Sequence, residues 1–410
     1  MNKLKLTALE KKWILYDVGN SAFTMMISTL IPIYFNSLAR NGGLDETLYL
    51  AYWGYAITIS TLLVVVAGPS LGALSDRKGK KKIIFSGTII LGAIACALLG
   101  FLKQWLIFLI VFILAKVLYA LSLIVYDSTL SDVTSEDRMD TVSSQGYAWG
   151  YIGSCIPFIA CLVLVLKAES FGLSMGTAMT ISFIIVALWW GLVSVPLLRS
   201  YEQKNYIEKT KNQPGIFSQL GTTLKEMFKD KKVFLFVLSF FFYIDGVYTI
   251  IDMATAYGDS LGIGQSDLLL ALLVTQFVAF PCAIIFGLLV HKYRAELLIT
   301  ICIVAYFFIA VYAVFLAHAY QFWILAVCVG MFQGGIQALS RSYFTKIIPA
   351  EKSGEYFGFL DICGKGASAL GTFTVGFLTQ ITGRQQLGVG AIAIFFVVGL
   401  ILFRKSVAVK

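Results

Sequence analysis

The sequence predicts an all-α membrane protein with twelve transmembrane helices, built as two similar halves of six. Three observations support this fold class. Twelve apolar stretches are long enough to cross a bilayer, lysine and arginine gather between alternate stretches, and the two halves of the chain repeat each other weakly. The chain of 410 residues is 58% hydrophobic and only 13% charged. A soluble domain of this length needs far more charged surface, so the composition excludes that class.

Each apolar stretch reaches the roughly 20 residues that a helix needs to cross the hydrocarbon core of a bilayer. Only helices or closed barrels satisfy their backbone polar groups within lipid, and these stretches are too long for barrel strands. They therefore predict helices. The predicted spans cover residues 13–38, 49–74, 83–102, 104–126, 143–166, 176–198, 233–257, 267–290, 295–317, 321–345, 355–380 and 386–404.

The distribution of lysine and arginine predicts that both termini are cytoplasmic, because inner segments of membrane proteins carry an excess of these residues. The basic residues outside this pattern are Arg40, Lys103, Lys167 and Arg384 in outer segments, and Lys116 and Lys365 within spans. The positive-inside rule therefore explains the net charge of +9, and no nucleic-acid partner is expected. In a bacterium, the expected location is the plasma (inner) membrane.

A long polar segment divides the chain into residues 1–198, a cytoplasmic linker at 199–232, and residues 233–410. The linker contains a Pro214-Gly215 break, and apolar residues recur at helical spacing from Ile216 to Phe228. This pattern predicts a short amphipathic helix on the inner membrane surface, with a disordered linker as the alternative.

The two halves align around the ends of their fourth spans. Asp127 aligns with Arg341, and a glycine-rich helix follows in each half, with Gly146 and Gly150 in the first. Glycines at this spacing let helices approach closely. Parallel repeats of six spans are a transporter architecture with the substrate site between the halves near mid-membrane.

Residues 72–81 form a glycine-rich and basic turn between the second and third spans. Gly72 permits close helix packing, Gly79 permits a tight turn, and Asp76 and Arg77 lie between them. The segment resembles the signature of the major facilitator superfamily. The resemblance implies that Asp76 and Arg77 help to latch the two halves on the cytoplasmic side. In the copy at residues 287–294, His291 replaces the acid, so we expect no equivalent latch there.

Ionisable and polar residues inside spans are candidates for function, because unpaired charges in lipid cost several kcal/mol. Asp17, Asn20 and Ser21 form one polar stripe on the first span. The other candidates are Lys116, Tyr119 and Asp127 in the fourth span, Tyr243, Asp245, Tyr248 and Asp252 in the seventh, Gln333, Gln337 and Arg341 in the tenth, and Asp361 and Lys365 in the eleventh.

Depth in the membrane separates two expected roles. Asp17, Asp127 and Arg341 lie low, and we expect Asp127 and Arg341 to pair between the halves as an inner gate. The remaining residues lie higher and are expected to bind substrate or couple ions, and a desolvated Asp245 could carry a proton. Three structural alternatives stay open: Asp361 and Lys365 pair with each other, Lys116 is a static counter-ion, and the tyrosines only pack the wall.

Further segments resemble the vacuolar-effluxer-like group of the major facilitator superfamily, which includes a fungal vacuolar amino-acid exporter. These segments are residues 13–23, 143–153, 243–247, 334–342 and 357–359. The resemblance covers nearly the whole chain and both halves. It implies the major facilitator fold and transport of amino acids out of a compartment.

The leading hypothesis is a secondary active transporter, a symporter or antiporter that moves a small polar solute by alternating access. Amino acids are the candidate cargo and protons the candidate coupling ion. The alternatives are a multidrug or amphiphile exporter of the same fold and a membrane receptor or scaffold without transport. The sequence contains neither HExxH nor a GxxxxGK[ST] loop, so we expect no enzyme, metal or cofactor. The bilayer is the expected partner, and a monomer the expected state.

Overall fold

A computed structural model describes residues 5–208, 215–260, 262–316 and 318–409. Over these ranges the chain is almost entirely helical. The α-helices are α1 (Ala8–Ser28), α2 (Leu30–Asn41), α3 (Glu46–Ser75), α4 (Lys81–Leu99), α5 (Trp105–Ser128), α6 (Leu130–Val133), α7 (Met139–Leu166), α8 (Met175–Ser200), α9 (Ile216–Lys229), α10 (Lys231–Ser260), α11 (Gln265–Leu289), α12 (Ala295–Val314), α13 (Ala319–Ile347), α14 (Ser353–Thr382) and α15 (Gln385–Ala408).

Helices α1 and α2 together form the first predicted span, with a bend of 42° between them. Thr29 lies at the bend, and its hydroxyl donates to the carbonyl oxygen of Met25 at 2.6 Å. A threonine that bonds back to the preceding turn competes with the helix's own hydrogen bonds and bends the helix. The span therefore crosses the bundle as two tilted pieces.

Ten of the described helices are long and apolar enough to cross a membrane, and the bent pair brings the number to eleven. The remaining predicted span, 355–380, coincides with α14, which has 30 residues. At 1.5 Å per residue, α14 is also longer than the roughly 30 Å hydrocarbon core. The protein is thus an integral multi-pass membrane protein, and the predicted twelve-helix fold class is confirmed.

We call α1–α8 the first half and α10–α15 the second half. Within the first half, α1 packs against α7 and α8, and α5 packs against α3 and α4. Within the second half, α10 packs against α14 and α15, and α13 packs against α11 and α12. The same arrangement therefore occurs twice, as parallel repeats require. The residue bounds predicted for the halves and the linker stay a prediction.

The halves meet along two crossings, which occupy equivalent places in the repeat. One is the crossing of α3 with α14, and the other is that of α7 with α11 and α13. Buried apolar side chains fill each half on either side of these crossings.

One end of the bundle gathers the chain ends and the linker, and we call it the linker end. There the Lys12 ammonium donates to Ser200 at 2.5 Å, and the Ser406 hydroxyl donates to the Lys232 carbonyl oxygen at 2.8 Å. Beyond α8, the chain turns back and pairs with the α3–α4 turn through a backbone bridge between Arg77 and Ile207. Helix α9 then leads into α10 and matches the predicted amphipathic segment.

Candidate functional site

A guanidinium from the second half binds two carboxylates of the first half near the linker end. Arg341 lies on α13, and only 4% of its side chain is exposed. Its Nη1 lies 3.0 Å from an Asp127 oxygen at the end of α5, and its Nη2 lies 3.4 Å from an Asp17 oxygen on α1. Its Nε donates to the Ser143 hydroxyl on α7 at 2.9 Å. One side chain thus ties three helices of the first half to the second half.

Aromatic rings surround this guanidinium. Its central carbon lies 4.7 Å from the ring centre of Trp13, 5.5 Å from that of Tyr126 and 4.3 Å from that of Tyr147. A cation over aromatic faces gains about 2 kcal/mol or more when it is desolvated. The Tyr126 hydroxyl also donates to the Asp17 carboxylate at 2.8 Å, so the acid is held in place for Arg341.

Two glycines of α7 provide the space for this pair. A Cβ at Gly146 would collide with the Asp17 carboxylate and lie 3.1 Å from Arg341 Nη2. A Cβ at Gly150 would lie 3.0 Å from the Ser21 hydroxyl. The spacing that predicted close helix approach therefore makes room for a buried ion pair.

Further from the linker end, polar side chains of both halves continue the site. The Tyr119 hydroxyl lies 2.5 Å from that of Thr24 and 3.4 Å from the Asn20 amide oxygen. The Tyr151 hydroxyl donates to the Gln337 amide oxygen between the halves at 2.9 Å. These contacts form a column of hydroxyl and amide groups that extends from the Arg341 cluster away from the linker end.

Charged side chains from both halves face each other in the same region. Lys116 on α5 and Asp252 on α10 attract each other electrostatically between the halves. Tyr248 on α10 lies within electrostatic reach of Asp252, Asp127 and Asp361. These residues, predicted on separate spans, therefore belong to one region. The predicted alternative pairing of Asp361 with Lys365 lies outside the described residues, because the Lys365 side chain is among those left undescribed.

Two predicted site residues on α10 are fully buried within the second half. The Tyr243 hydroxyl lies 2.7 Å from the Ser340 hydroxyl on α13. Asp245 accepts from the Gly371 backbone N–H of α14 at 3.0 Å and from the Thr249 hydroxyl at 3.1 Å. In this conformation Tyr243 therefore packs against α13 and Asp245 against α14, and their roles in substrate binding or coupling stay a prediction.

A cavity of about 70 Å³ lies between α10, α11 and α13. Its lining is apolar apart from Thr275, Gln276 and Gln333. The Gln276 amide group also approaches the Met25 sulfur of α1 at 3.1 Å, so the cavity borders the interface between the halves. Gln333 therefore lies between an apolar chamber and the polar column at Tyr151 and Gln337.

At the linker end, the Asp76 carboxylate caps the start of α14. Its oxygens accept from the backbone N–H groups of Gly354 and Glu355, each at 2.9 Å. The Lys81 ammonium lies 3.2 Å from Asp76, and both side chains are fully buried. Burial raises the pKa of Asp76, while the Lys81 charge opposes that rise.

Glycines shape this contact as the sequence predicts. A Cβ at Gly72 would collide with the Gly354 carbonyl oxygen, and Gly79 turns the chain with a φ of 72°. Arg77 takes part through its backbone, which pairs with linker residue Ile207.

The family model described as "Vacuole effluxer Atg22 like" matches residues 46–137 and 131–410. The chain belongs to this family. The resemblance predicted from the sequence is thereby confirmed.

Relatives match over almost the whole chain. The MFS-type transporter YxiO of Bacillus subtilis is 40% identical over 407 residues, which cover 97% of this chain and 94% of the relative. Autophagy-related protein 22 of Kluyveromyces lactis is 24% identical over 460 residues, which cover 96% of this chain and 92% of the relative.

Solved structures agree on the fold. The human organic anion transporter MFSD10 superposes with a TM-score of 0.73 at 12% identity, covering 97% of this chain and 99% of its own. The transporter FucP in the outward conformation gives a TM-score of 0.74 at 12% identity, covering 97% of each chain. The protein is therefore a major facilitator superfamily transporter, like the proteins named YxiO, MFSD10 and FucP.

A second ion pair joins the two halves, and the sequence did not predict it. The Lys346 ammonium on α13 lies 2.6 Å from an Asp140 oxygen on α7, and the Ser342 hydroxyl donates to the other Asp140 oxygen at 2.7 Å. One feature of the sequence could have indicated this pair. Asp140 lies in the first turn of one helix and Lys346 in the last turn of another, where acidic and basic residues are respectively favoured. The roles of Trp13, Tyr147 and Tyr151 beside the cluster were missed as well.

Residues 287–294, the second copy of the motif at residues 72–81, also contact the other half. The Thr141 hydroxyl on α7 lies 3.1 Å from the Gly287 carbonyl oxygen and 3.2 Å from His291 Nε2. A polar contact without a carboxylate from residues 287–294 therefore takes the equivalent place.

Proposed function

We propose that this protein is a secondary active transporter that moves a small polar solute by alternating access, with amino acids as the cargo and efflux as the direction. The family description and the names of the relatives support transport and efflux. Three contacts between the halves support alternating access. They are the Arg341 cluster, the Asp140–Lys346 pair and the Asp76 cap, all toward the linker end.

The Arg341 cluster is the observation that carries this proposal. Buried ion pairs are expensive to desolvate, and well-packed apolar residues often serve stability equally well. A cluster that joins Arg341 to Asp17 and Asp127 is better suited to a contact that must form and break. Separation of the halves there exposes the charges to water, which lowers the cost of breaking the pairs.

The linker end is assigned to the cytoplasm, so the contacts between the halves at that end close the cytoplasmic side. The lysine and arginine distribution supports the assignment. Structures of FucP in the outward conformation and of a bacterial ferroportin homologue in the outward-facing state share the fold. In a bacterium, the transporter would lie in the plasma membrane.

The substrate binds where Asp127, Asp361, Tyr119, Tyr248 and Gln337 face the interface between the halves. The Asp127 side chain is 26% exposed, whereas that of Arg341 is 4% exposed. An ammonium group can therefore reach Asp127 and compete with Arg341 for it. That competition links substrate binding to release of the closed end, which alternating access requires.

A second candidate function, export of amphiphiles, is favoured by one observation. The cavity beside Gln333 has a mostly apolar lining, which suits an apolar substrate tail. Competition between labelled amino acids and an amphiphile for uptake separates the two functions.

Proton coupling is assigned to Asp245. Its second carboxylate oxygen is buried and accepts no hydrogen bond from the described residues. No described residue of opposite charge lies against this acid. A carboxylate in these surroundings is much easier to bury when it is protonated, so proton binding stabilises the conformation in which α14 covers Asp245.

The test uses purified protein in liposomes and labelled amino acids, with and without a pH gradient. We expect wild-type flux that rises when the gradient is imposed. Asp245→Asn keeps the shape but cannot titrate, so its flux should be insensitive to the gradient. Glu202→Gln, an exposed change in the linker, is the matched control and should behave like wild type. Absence of wild-type flux for every amino acid would overturn the cargo assignment, and an unchanged pH response in Asp245→Asn would overturn the coupling role.

A further inference from the structure

Helix α9 of the linker contacts both halves at the linker end. It packs against α3 of the first half and against α10 and α14 of the second half. Its Met227 side chain is buried within the apolar core of the second half. The Lys352 ammonium, just before α14, lies 2.5 Å from a Glu226 oxygen of α9. The helix therefore bridges the crossing of α3 with α14.

The bridge reaches the Asp76 cap through a single residue. The Gln219 amide of α9 donates to a Glu355 carboxylate oxygen at 3.0 Å. The backbone N–H of the same Glu355 donates to Asp76 at 2.9 Å. Glu355 is fully buried, so the position of α9 and the position of the cap are mechanically connected.

The face of α9 that turns away from the protein is apolar and unusually exposed. Phe217 is 81% exposed, Phe228 60% and Leu224 40%, and their spacing places them along one side of the helix. The Phe228 ring lies 5.1 Å from that of Phe234 in the first turn of α10. This apolar stripe is therefore continuous with the surface of a membrane-spanning helix.

Basic residues flank the stripe. Lys225 and Lys229 lie on α9, and Lys231 and Lys232 begin α10. An amphipathic helix with aromatic residues on one side and lysines beside them fits the boundary between acyl chains and anionic headgroups. Each lysine near such a surface adds to the attraction between α9 and anionic headgroups.

From these contacts, we infer that α9 is a clamp seated in the bilayer: anionic phospholipid bound along Phe217, Leu224 and Phe228 holds Gln219 against Glu355 and keeps the Asp76 cap closed. One consequence of this inference, a slower opening of the linker end, rests on the proposed alternating access. The physical link from lipid to cap stands independently of transport.

The experiment measures amide hydrogen exchange of the peptide that contains Gly354 and Glu355. The full-length protein is placed in nanodiscs of phosphatidylcholine alone or of an equal mixture with phosphatidylglycerol. We expect exchange about tenfold slower in the anionic discs, the size of effect that one or two lysines bound to headgroups can supply.

Two surface variants test the lipid face without touching the bridge. Lys225→Gln with Lys229→Gln should remove the difference between the two lipids. Phe217→Ser with Phe228→Ser should give fast exchange in both. Gln219→Leu should also give fast exchange in both while α9 itself remains bound to the discs. Ser218→Ala, an exposed change on the same helix, is the control and should match wild type.

Several outcomes would overturn the inference. If exchange at Gly354 and Glu355 is the same in both lipids, or is unchanged in Gln219→Leu, α9 does not act as the proposed clamp. Protection that grows with protein concentration in detergent would mean that a second copy of the chain covers this face in place of lipid. Because the readout is exchange and not flux, a protein that shows the lipid effect but transports no amino acid contradicts the proposed function and leaves the clamp intact.

Discussion

The two crossings between the halves use the same backbone geometry but different chemistry. At the crossing of α3 with α14, Gly72 brings the helices together, and the buried Asp76 carboxylate accepts N–H groups at the start of α14. At the crossing of α11 with α7, Gly287 allows the approach, and the exposed His291 contacts a threonine hydroxyl. The glycine is thus retained in both copies of the repeat, whereas the charged cap occurs in one.

The crossing of α11 with α7, here called the second crossing, obtains its electrostatic attraction from a neighbouring helix. Helix α13 runs beside α11 and contributes Arg341 and Lys346 to acids of the first half. A carboxylate at the position of His291 would add a negative charge close to Asp140. The second crossing therefore places its cations on a neighbouring helix, and the first places an anion at the crossing itself.

The largest expected effect comes from removal of the Arg341 guanidinium. In Arg341→Ala, Asp17 and Asp127 lose the cation that offsets their burial, and loss of one partner from a buried pair costs about 3–5 kcal/mol. We expect a strongly lowered midpoint of thermal unfolding in detergent and no closed linker end. Arg341→Lys keeps the charge but loses the planar fork, so it should recover part of the stability and little of the flux. A variant without arginine that unfolds like wild type would contradict the role assigned to the cluster.

The next effect compares the two glycines directly. A Cβ at Gly72 meets backbone atoms of α14, which cannot rotate away, whereas a Cβ at Gly287 lies 2.8 Å from the Ser144 side chain. Gly72→Ala should therefore lose about 1–3 kcal/mol of stability, in the range of overpacked cores, and Gly287→Ala should lose less. Thermal unfolding of both variants gives the order. Equal losses would mean that α7 is held as rigidly as α14.

The sequence predicted the elements of these crossings better than their partners. Hydropathy located the spans, because a membrane imposes length and composition on every crossing helix. The glycines of residues 72–81 predicted close packing and a turn, because both depend on local chain geometry, and the resemblance implied the latch at Asp76.

Side-chain partners depend on how far each helix is rotated and on which neighbour it meets, and spacing along one helix leaves both open. That is why Asp127 and Arg341 could be paired from the repeat, while the Asp140–Lys346 pair was missed. It is also why the neighbour that covers Asp245, Gly371 of α14, could not be predicted from the sequence.

A smaller effect, with a defined pH dependence, is expected from Asp76. Burial raises its pKa above 3.8 although Lys81 opposes the rise, and the Glu355 carboxylate lies nearby. An acid with a raised pKa binds its proton more tightly in the folded state. Its contribution to stability is therefore greatest below pH 3.8 and is lost as the pH rises through the raised pKa.

Asp76→Asn should remove this pH dependence and cost about 1–3 kcal/mol near neutral pH, since two backbone donors lose a charged acceptor. Unfolding midpoints measured from acid to neutral pH provide the check, with His291→Asn as the control at the second crossing. A pH profile that is the same in Asp76→Asn and wild type would contradict the assignment of that dependence to Asp76.

The smallest expected effect comes from giving the second crossing an acid. In His291→Asp, the carboxylate faces the first turn of α7, where the positive end of the helix dipole favours it by about 0.3–1 kcal/mol. Asp140 in the same turn opposes part of this gain, although Lys346 and Ser342 already bind that residue. We therefore expect slightly slower amide exchange at Thr141 and an unfolding midpoint close to that of wild type. A clear destabilisation would mean that the contact between His291 and Thr141 is itself important for closing the linker end. The two copies of the motif, at residues 72–81 and 287–294, would then use different partners but stabilise the closed end equally.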